Sequence, residues 1–270
     1  KGQLLSLDEP QVMGILNVTP DSFYAGSRKQ TEAAIIDRIE TILREGASII
    51  DVGGYSSRHD AAEVSETEEM QRLEMALQPL LQHYPDVVVS VDTFRSSVAR
   101  QCVEKYGVAM INDISGGELD EQMFDTVAQL RVPYIMMHMR GTPQTMQQQT
   151  DYEDVTADLL KYFSQKLERL FRLGVNDVIL DPGFGFSKTL TQNYELMRHL
   201  GDFRIFGLPL LVGVSRKSMI YKLLETTPEE SLNGTTVLHT YALLQGADIL
   251  RVHDVRAAKE AIRIVQQLKG

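Results

Sequence analysis

Ile249-Leu-Arg-Val-His-Asp-Val-Arg-Ala-Ala-Lys-Glu-Ala-Ile-Arg-Ile-Val-Gln-Gln-Leu268 holds a strand, a polar break and a helix in one short stretch. Ile249 to Val252 reads as a buried strand. Val255, Ala258, Ile262, Val265 and Leu268 then recur at three- and four-residue spacing, the mark of one apolar helix face. The same unit is met from the start of the chain, where Val12 to Leu16 precedes a helical period from Thr31 to Glu45 and then Ile49 to Val52. Further strand candidates are Val87 to Val91, Ala109 to Ile111, Tyr134 to Met137, Val178 to Leu180 and Leu210 to Gly213. Strands separated by helices pair in parallel through right-handed crossovers, and eight such units close into a (β/α)8 barrel more readily than they spread into a sheet. An open doubly wound sheet is the alternative. The first eleven residues are expected to form a small hairpin closing the barrel bottom.

The chain has 270 residues, the size of one such barrel, so one domain covering 1–270 is expected. Its 43% hydrophobic and 24% charged residues argue against disorder and against a coiled coil. A net charge of -10 leaves no broad basic surface for nucleic acid, although a local cationic cluster can still take phosphate. The one cysteine, Cys102, has no disulfide partner in the chain and reads as a small buried side chain. There is no apolar run long enough to span a membrane and no basic-then-apolar leader, so the cytoplasm is the expected compartment.

In a parallel barrel the active site forms where strands end and βα loops begin. Those positions are polar here: Asn17, Asp51, Asp92, Asn112 with Asp113, His138, Asp181, Lys217 a little beyond its strand, and Arg251 with His253. An isolated Asp or Asn after a strand is most often a helix cap or an Asx-turn. Together, acceptors for N–H donors and cations from the last two strands describe a pocket for a flat, polar heterocycle carrying phosphate. Gly213 to Ser218 approaches a phosphate loop but lacks the glycine before Lys217 and the proper spacing, which excludes a nucleoside triphosphate site of that kind.

Six ordered motifs span the chain: GILNVTPDSF (Gly14 to Phe23), VDTF (Val91 to Phe94), INDISGG (Ile111 to Gly117), DPGFGFSK (Asp181 to Lys188), SRKS (Ser215 to Ser218) and RVHDV (Arg251 to Val255). They resemble the signatures of the dihydropteroate synthase family. That resemblance implies condensation of 6-hydroxymethyl-7,8-dihydropterin diphosphate with p-aminobenzoate to 7,8-dihydropteroate and diphosphate, with sulfonamides as inhibitors and a homodimer formed through the last helices. It assigns the pterin to Asp92, Asn112, Asp181, Lys217 and Arg251. Diphosphate goes to Asn17, Arg251 and His253, with Mg²⁺ held by Asn17. p-Aminobenzoate goes to Phe23, Ser57, Arg58, Phe186, Ser215 and Lys217, helped by backbone N–H groups near Ser218. The chemical work falls to Asp92, Lys217, Arg251 and His253. The residue types suit these tasks: a carboxylate accepts the planar N–H edge of an aminopterin, an amide both donates and accepts, and a guanidinium offers a fork to phosphate.

The chain departs from the family in the second loop, where Tyr55, Ser57, His59 and Asp60 stand for Glu, Thr, Pro and Gly. Ser57 keeps a hydroxyl and Arg58 is retained. Loss of Pro-Gly alters the backbone freedom of the loop, so changed p-aminobenzoate and sulfonamide affinity is expected. Two other readings compete. A pterin-binding methyltransferase would share the Asp and Asn contacts without needing Arg251, His253 and Lys217 as a diphosphate-releasing set, and a non-catalytic pterin-binding paralogue would bind without turnover.

Overall fold

The structure is a computed structural model that describes residues 5–19, 28–55 and 64–269, with backbone alone for 28–31. Eight strands lie among them: β1 (Gln11–Asn17), β2 (Ile49–Gly53), β3 (Val88–Asp92), β4 (Met110–Asp113), β5 (Tyr134–Met137), β6 (Val178–Asp181), β7 (Leu211–Val212) and β8 (Ile249–Val252). All pair in parallel, in the order 6-5-4-3-2-1-8-7. The two strands that would be free edges meet, because Leu180 bridges to Leu210 and its N–H donates to the Pro209 carbonyl at 2.9 Å. The sheet is therefore a (β/α)8 barrel, and the open-sheet alternative falls.

The helices among the described residues are α1 (Arg28–Arg44), α2 (Glu66–His83), α3 (Ser96–Tyr106), α4 (Met123–Leu130), α5 (Val155–Arg172), α6 (Leu190–Arg198), α7 (Ser218–Tyr221), α8 (Leu232–Leu244) and α9 (Val255–Lys269). Their apolar stripes and the outward strand residues form one large buried cluster. None is long and apolar enough to cross a membrane.

Inside the barrel, Met13, Ile49, Met110, Ile135, Ile179, Leu211 and Ile249 make a separate apolar layer, with Val88 packed against it, so that every strand contributes one side chain. Leu5 and Leu7 close this layer from below. Among the described residues of the segment expected to form a hairpin, 5–10 carry no strand. A plug of two leucines does the closing without a ladder. Side chains alternate in direction along a strand, so counting two residues on from the floor gives the inward positions Asp51, Asn112, Asp181 and Arg251. Counting four on from Met13 and Val88 gives Asn17 and Asp92. Strand period and floor together turn six polar side chains into one cup.

The final helix differs from its expected pattern at one end. Val255, Ala258, Ile262 and Val265 are buried, but Leu268 is 70% exposed, as is Ile264 at 60%. Leu268 falls in the last turn of α9, where it faces solvent rather than the strands.

Cys102 is fully buried on α3. Burial, then the charges of Glu69 and Glu74, push its thiol up to about 12. Thiolate is the reactive form, so the native protein should resist thiol-specific reagents at pH 8 and react once unfolded in denaturant. Stoichiometric labelling of native protein within minutes would contradict this packing.

Candidate active site

The carboxylate of Asp51 sits at the centre of the cup with no exposed surface. One of its oxygens accepts from Asn112 Nδ2 at 3.0 Å and from Arg251 Nε at 2.7 Å. The same guanidinium donates from its far nitrogen to Asp92 at 2.8 Å. Four side chains from β2, β3, β4 and β8 are thereby locked into one buried ionic group. Burial, only partly offset by Arg251 and aggravated by Asp51, raises the Asp92 carboxyl to about 7. Burial opposes the charge on Arg251, but Asp51 and Asp92 outweigh it and hold its pKa above the ordinary value.

Across the cup, Asp181 accepts the Gly183 N–H at 2.8 Å. Burial raises its pKa, while Lys217, that N–H and Arg251 pull it down. Lys217 reaches in from the loop after β7, where its Nζ donates to the Phe184 carbonyl at 2.5 Å and lies 4.6 Å over the Phe186 ring. Burial lowers its ammonium to about 8 against the pull of Asp181. Acidic side chains and Lys217 thus stand above the apolar layer of the barrel. Asp181 and Arg251 feel each other's field, so they share one cup.

Asn17 ends β1, with its amide oxygen beside Gly53, where a Cβ would lie 3.4 Å from it, in ordinary contact. His253 follows β8. Burial, then Arg251, lowers its imidazole to about 4, so without a bound anion it is neutral rather than charged. Ser215 accepts from the His253 backbone N–H at 3.1 Å and keeps its own O–H to donate. α7 begins at Ser218 and is only four residues long. Phe23, Ser57, Arg58, His59 and Asp60 lie outside the described residues.

Several motif residues serve the frame instead. Asp113 points away from the cup and accepts from the Ser115 hydroxyl and N–H, the Gly117 N–H and the Tyr134 hydroxyl, fixing the turn after β4. Arg216 forks onto Asp254 with two 2.8 Å bonds and caps the Pro228 and Glu229 carbonyls. Sequence reading missed this tie, although a charged pair shared by the SRKS and RVHDV motifs was its visible trace. Tyr55, the residue at the family's Glu position, packs edge-on against Phe94 at 5.2 Å and accepts from Gln144 Nε2 at 3.1 Å. Tyr55, just after β2, is thus tied to the loops after β3 and β5.

A family model described as pterin binding enzyme matches residues 13–253, which include every described residue of this cup. The chain is 44% identical to the dihydropteroate synthase of Escherichia coli (strain K12), over 98% of its own length and 94% of the relative's. The chain belongs to the dihydropteroate synthases, transferases of folate biosynthesis. Solved synthases share its architecture. The Yersinia pestis dihydropteroate synthase in a sulfonamide drug complex superposes with a TM-score of 0.92 at 40% identity, covering 100% of this chain and 98% of that one. The Xanthomonas albilineans dihydropteroate synthase with 4-aminobenzoic acid gives 0.90 at 36% identity, covering 98% and 95%. Within the synthase family the cup described above is the candidate active site.

Arg251 neutralises two carboxylates, so its removal has a cost to the fold as well as to any chemistry. Without the cation the folded-state pKa of Asp92 rises further above its unfolded value, and stability is lost as pH climbs through that range. Arg251→Ala should be destabilised by roughly 3–5 kcal/mol at pH 8, the scale for breaking a buried pair. The deficit should shrink at pH 5, where Asp92 is protonated. Urea unfolding at the two pH values checks this, and an equal deficit at both contradicts it.

Proposed function

We propose that the chain acts as one pterin-binding barrel domain that joins p-aminobenzoate to a pterin methylene with loss of diphosphate, in the cytoplasm. The observation that carries this reading is the largely buried ionic group of Asp51, Asp92, Asn112 and Arg251 at the same end of the barrel as Asp181 and Lys217. Asp92, Asn112, Asp181, Lys217 and Arg251 bind the pterin. Asp181 accepts from the aminopterin N–H edge, Asn112 donates and accepts, and Lys217 supplies donors to ring acceptors. An analogue without those groups leaves buried polar atoms unpaired, which gives the site its selectivity.

The bond from the pterin methylene to the diphosphate oxygen breaks ahead of attack. Positive charge spreads into the pterin, where the carboxylates of Asp92 and Asp181 stabilise it. Asn17, Arg251 and His253 receive the departing diphosphate. The neutral imidazole of His253 gains a reason to bind a proton once that anion is beside it. The amine nitrogen of p-aminobenzoate then forms the new bond and releases its proton. An aniline is neutral at physiological pH and needs no dedicated strong base. The aromatic ring packs on Phe186 and the Lys217 stem, with Phe23, Ser57, Arg58 and Ser215 toward its carboxylate.

Asn17 fits a magnesium ion. Its amide oxygen is a hard donor at the end of β1, beside Gly53. Mg²⁺ takes few protein ligands and completes its octahedron with phosphate oxygens and water. When bound, it supplies charge neutralisation to the leaving diphosphate.

A homodimer is also part of this reading. Val237, Tyr241 and Leu244 line one side of α8, and Ile264 and Leu268 line α9, all exposed. The two helices are joined at their ends by Lys269 Nζ donating to the Leu243 carbonyl at 2.8 Å. Such an apolar face suits a second copy of the chain.

The kinship of the chain to synthases favours this reading over methyl transfer, and a diphosphate-release assay tests it. Release should require pterin diphosphate, p-aminobenzoate and Mg²⁺ together. Lys217→Ala or Arg251→Ala should lower turnover by roughly 10²-fold or more, as for loss of one preorganised electrostatic donor. Near-normal rates in either variant sink these roles, and pterin binding without release supports the non-catalytic alternative.

The pH dependence is also set by the cup. kcat/KM should rise as Asp92 ionises near 7 and fall as Lys217 loses its proton near 8. Lys217→Arg should move the alkaline limb upward. A flat profile from pH 6 to 9 counts against both groups. For the dimer, Val237→Glu with Ile264→Glu should give the monomer mass in sedimentation, and an unchanged mass removes that interface.

A further inference from the structure

Behind the cup lies a lysine that the chemistry above does not use. Lys188 ends the loop after β6 and is 3% exposed. Its Nζ lies 3.0 Å from the Gly183 carbonyl, 2.9 Å from the Phe186 carbonyl and 3.1 Å from His138 Nδ1. An ammonium has three donors and no acceptor, so these three partners saturate it. With Lys188 as an ammonium, His138 Nδ1 is the acceptor and His138 is the neutral Nε2–H tautomer. Burial, then the charge of Lys188, indeed holds the His138 pKa well below the ordinary value. The Lys188 pKa is lowered by the same burial, with Asp181 raising it and Lys217 and Arg140 lowering it.

Both carbonyls belong to one loop, and the carbonyl between them has a different taker. Lys188 grips residues 183 and 186, while Phe184 turns its carbonyl to Lys217 Nζ. The Phe186 ring, whose own carbonyl Lys188 holds, carries the Lys217 ammonium above it. Two further bonds pin the loop: the Gly183 N–H donates to Asp181, and the Gly185 N–H donates to Asn193 Oδ1 at 2.6 Å. Gly183 itself adopts φ +70°, and a Cβ there would lie 2.1 Å from the His138 carbonyl, so the loop passes hard against the residue that seats Lys188. The chain of contact runs from His138 through Lys188 and two carbonyls to the surface on which Lys217 rests.

We infer that Lys188, seated on neutral His138, is a positioning residue of the reaction, setting the 183–186 loop so that Lys217 is held in the pterin and p-aminobenzoate site. This rests on the reading of Lys217 given above. Lys188 need not touch substrate. A purely structural lysine in the same place would affect melting temperature alone once the protein had folded.

The test compares Lys188→Met, His138→Gln, His138→Leu and Lys217→Ala with the wild type. Each is read by melting temperature, KM for p-aminobenzoate, kcat, and the alkaline limb of kcat/KM. Lys188→Met should raise KM on the order of 10-fold to 10²-fold, the scale for small misplacement by a residue away from the chemistry. The alkaline limb should move upward from about 8, because Lys217 is released toward water. His138→Gln keeps an acceptor for Nζ and should stay near the wild type, whereas His138→Leu should copy Lys188→Met. Wild-type KM and limb in Lys188→Met overturn the inference. If that variant does not fold, the His138 pair decides, and equal behaviour of Gln and Leu overturns it. Impaired Lys217→Ala beside normal Lys188→Met refutes this inference alone, while normal Lys217→Ala refutes the reading beneath it.

Discussion

One guanidinium between a fully buried carboxylate and a half-buried one governs the upper half of this barrel. Arg251 has to satisfy Asp51 and Asp92 at once, and Asp51 holds Asn112 with the same oxygen. None of these groups is stable alone in a site that lies over a hydrocarbon floor, since an unpaired charge there would lose several kcal/mol of hydration. Their mutual satisfaction keeps the cup charged without flooding it. It also means that acids and bases are in contact, not kept apart as a purely segregated design would have it. Under the proposed chemistry, a ligand cation and a leaving anion would enter an existing balance and shift it.

That balance explains why the same sequence motifs hold two kinds of residue. In RVHDV, Arg251 faces the cup while Asp254 turns outward to Arg216. In INDISGG, Asn112 faces the cup while Asp113 turns outward to Tyr134 and its own turn. Asn112 and Asp113 are adjacent on β4 and so point to opposite sides of the sheet, whereas Asp254 lies two residues beyond β8 and reaches Arg216 from the loop.

Much of this was legible in the sequence. Tyr134 to Met137 and Ile249 to Val252 agree with the observed strands, because apolar runs between helical periods leave little else for them to be. The inward set of Asn17, Asp51, Asp92, Asn112, Asp181 and Arg251 follows from strand period once the floor is known. Other features were hidden. Leu268 keeps the helical spacing but lies in the last turn of α9, and spacing alone does not say what stands opposite a residue. Asp113 and His138 carry the same polar signature as true cup residues, and only direction separates them. The Arg216–Asp254 fork joins side chains far apart in sequence, so its two charges are visible but their pairing is not, and Lys188 grips its own loop through backbone carbonyls, which carry no side-chain signal.

The seam of the barrel has a mechanical meaning. β7 supplies two residues to the ladder, and its join to β6 is a single bridge at Leu180. Directly above that thin join, the loops after β6 and β7 are stitched by Lys217 reaching to Phe184. A molecule held between Asp181 and Lys217 rivets the ring at its narrowest point. A ligand bound there should stiffen the closure of the whole cylinder.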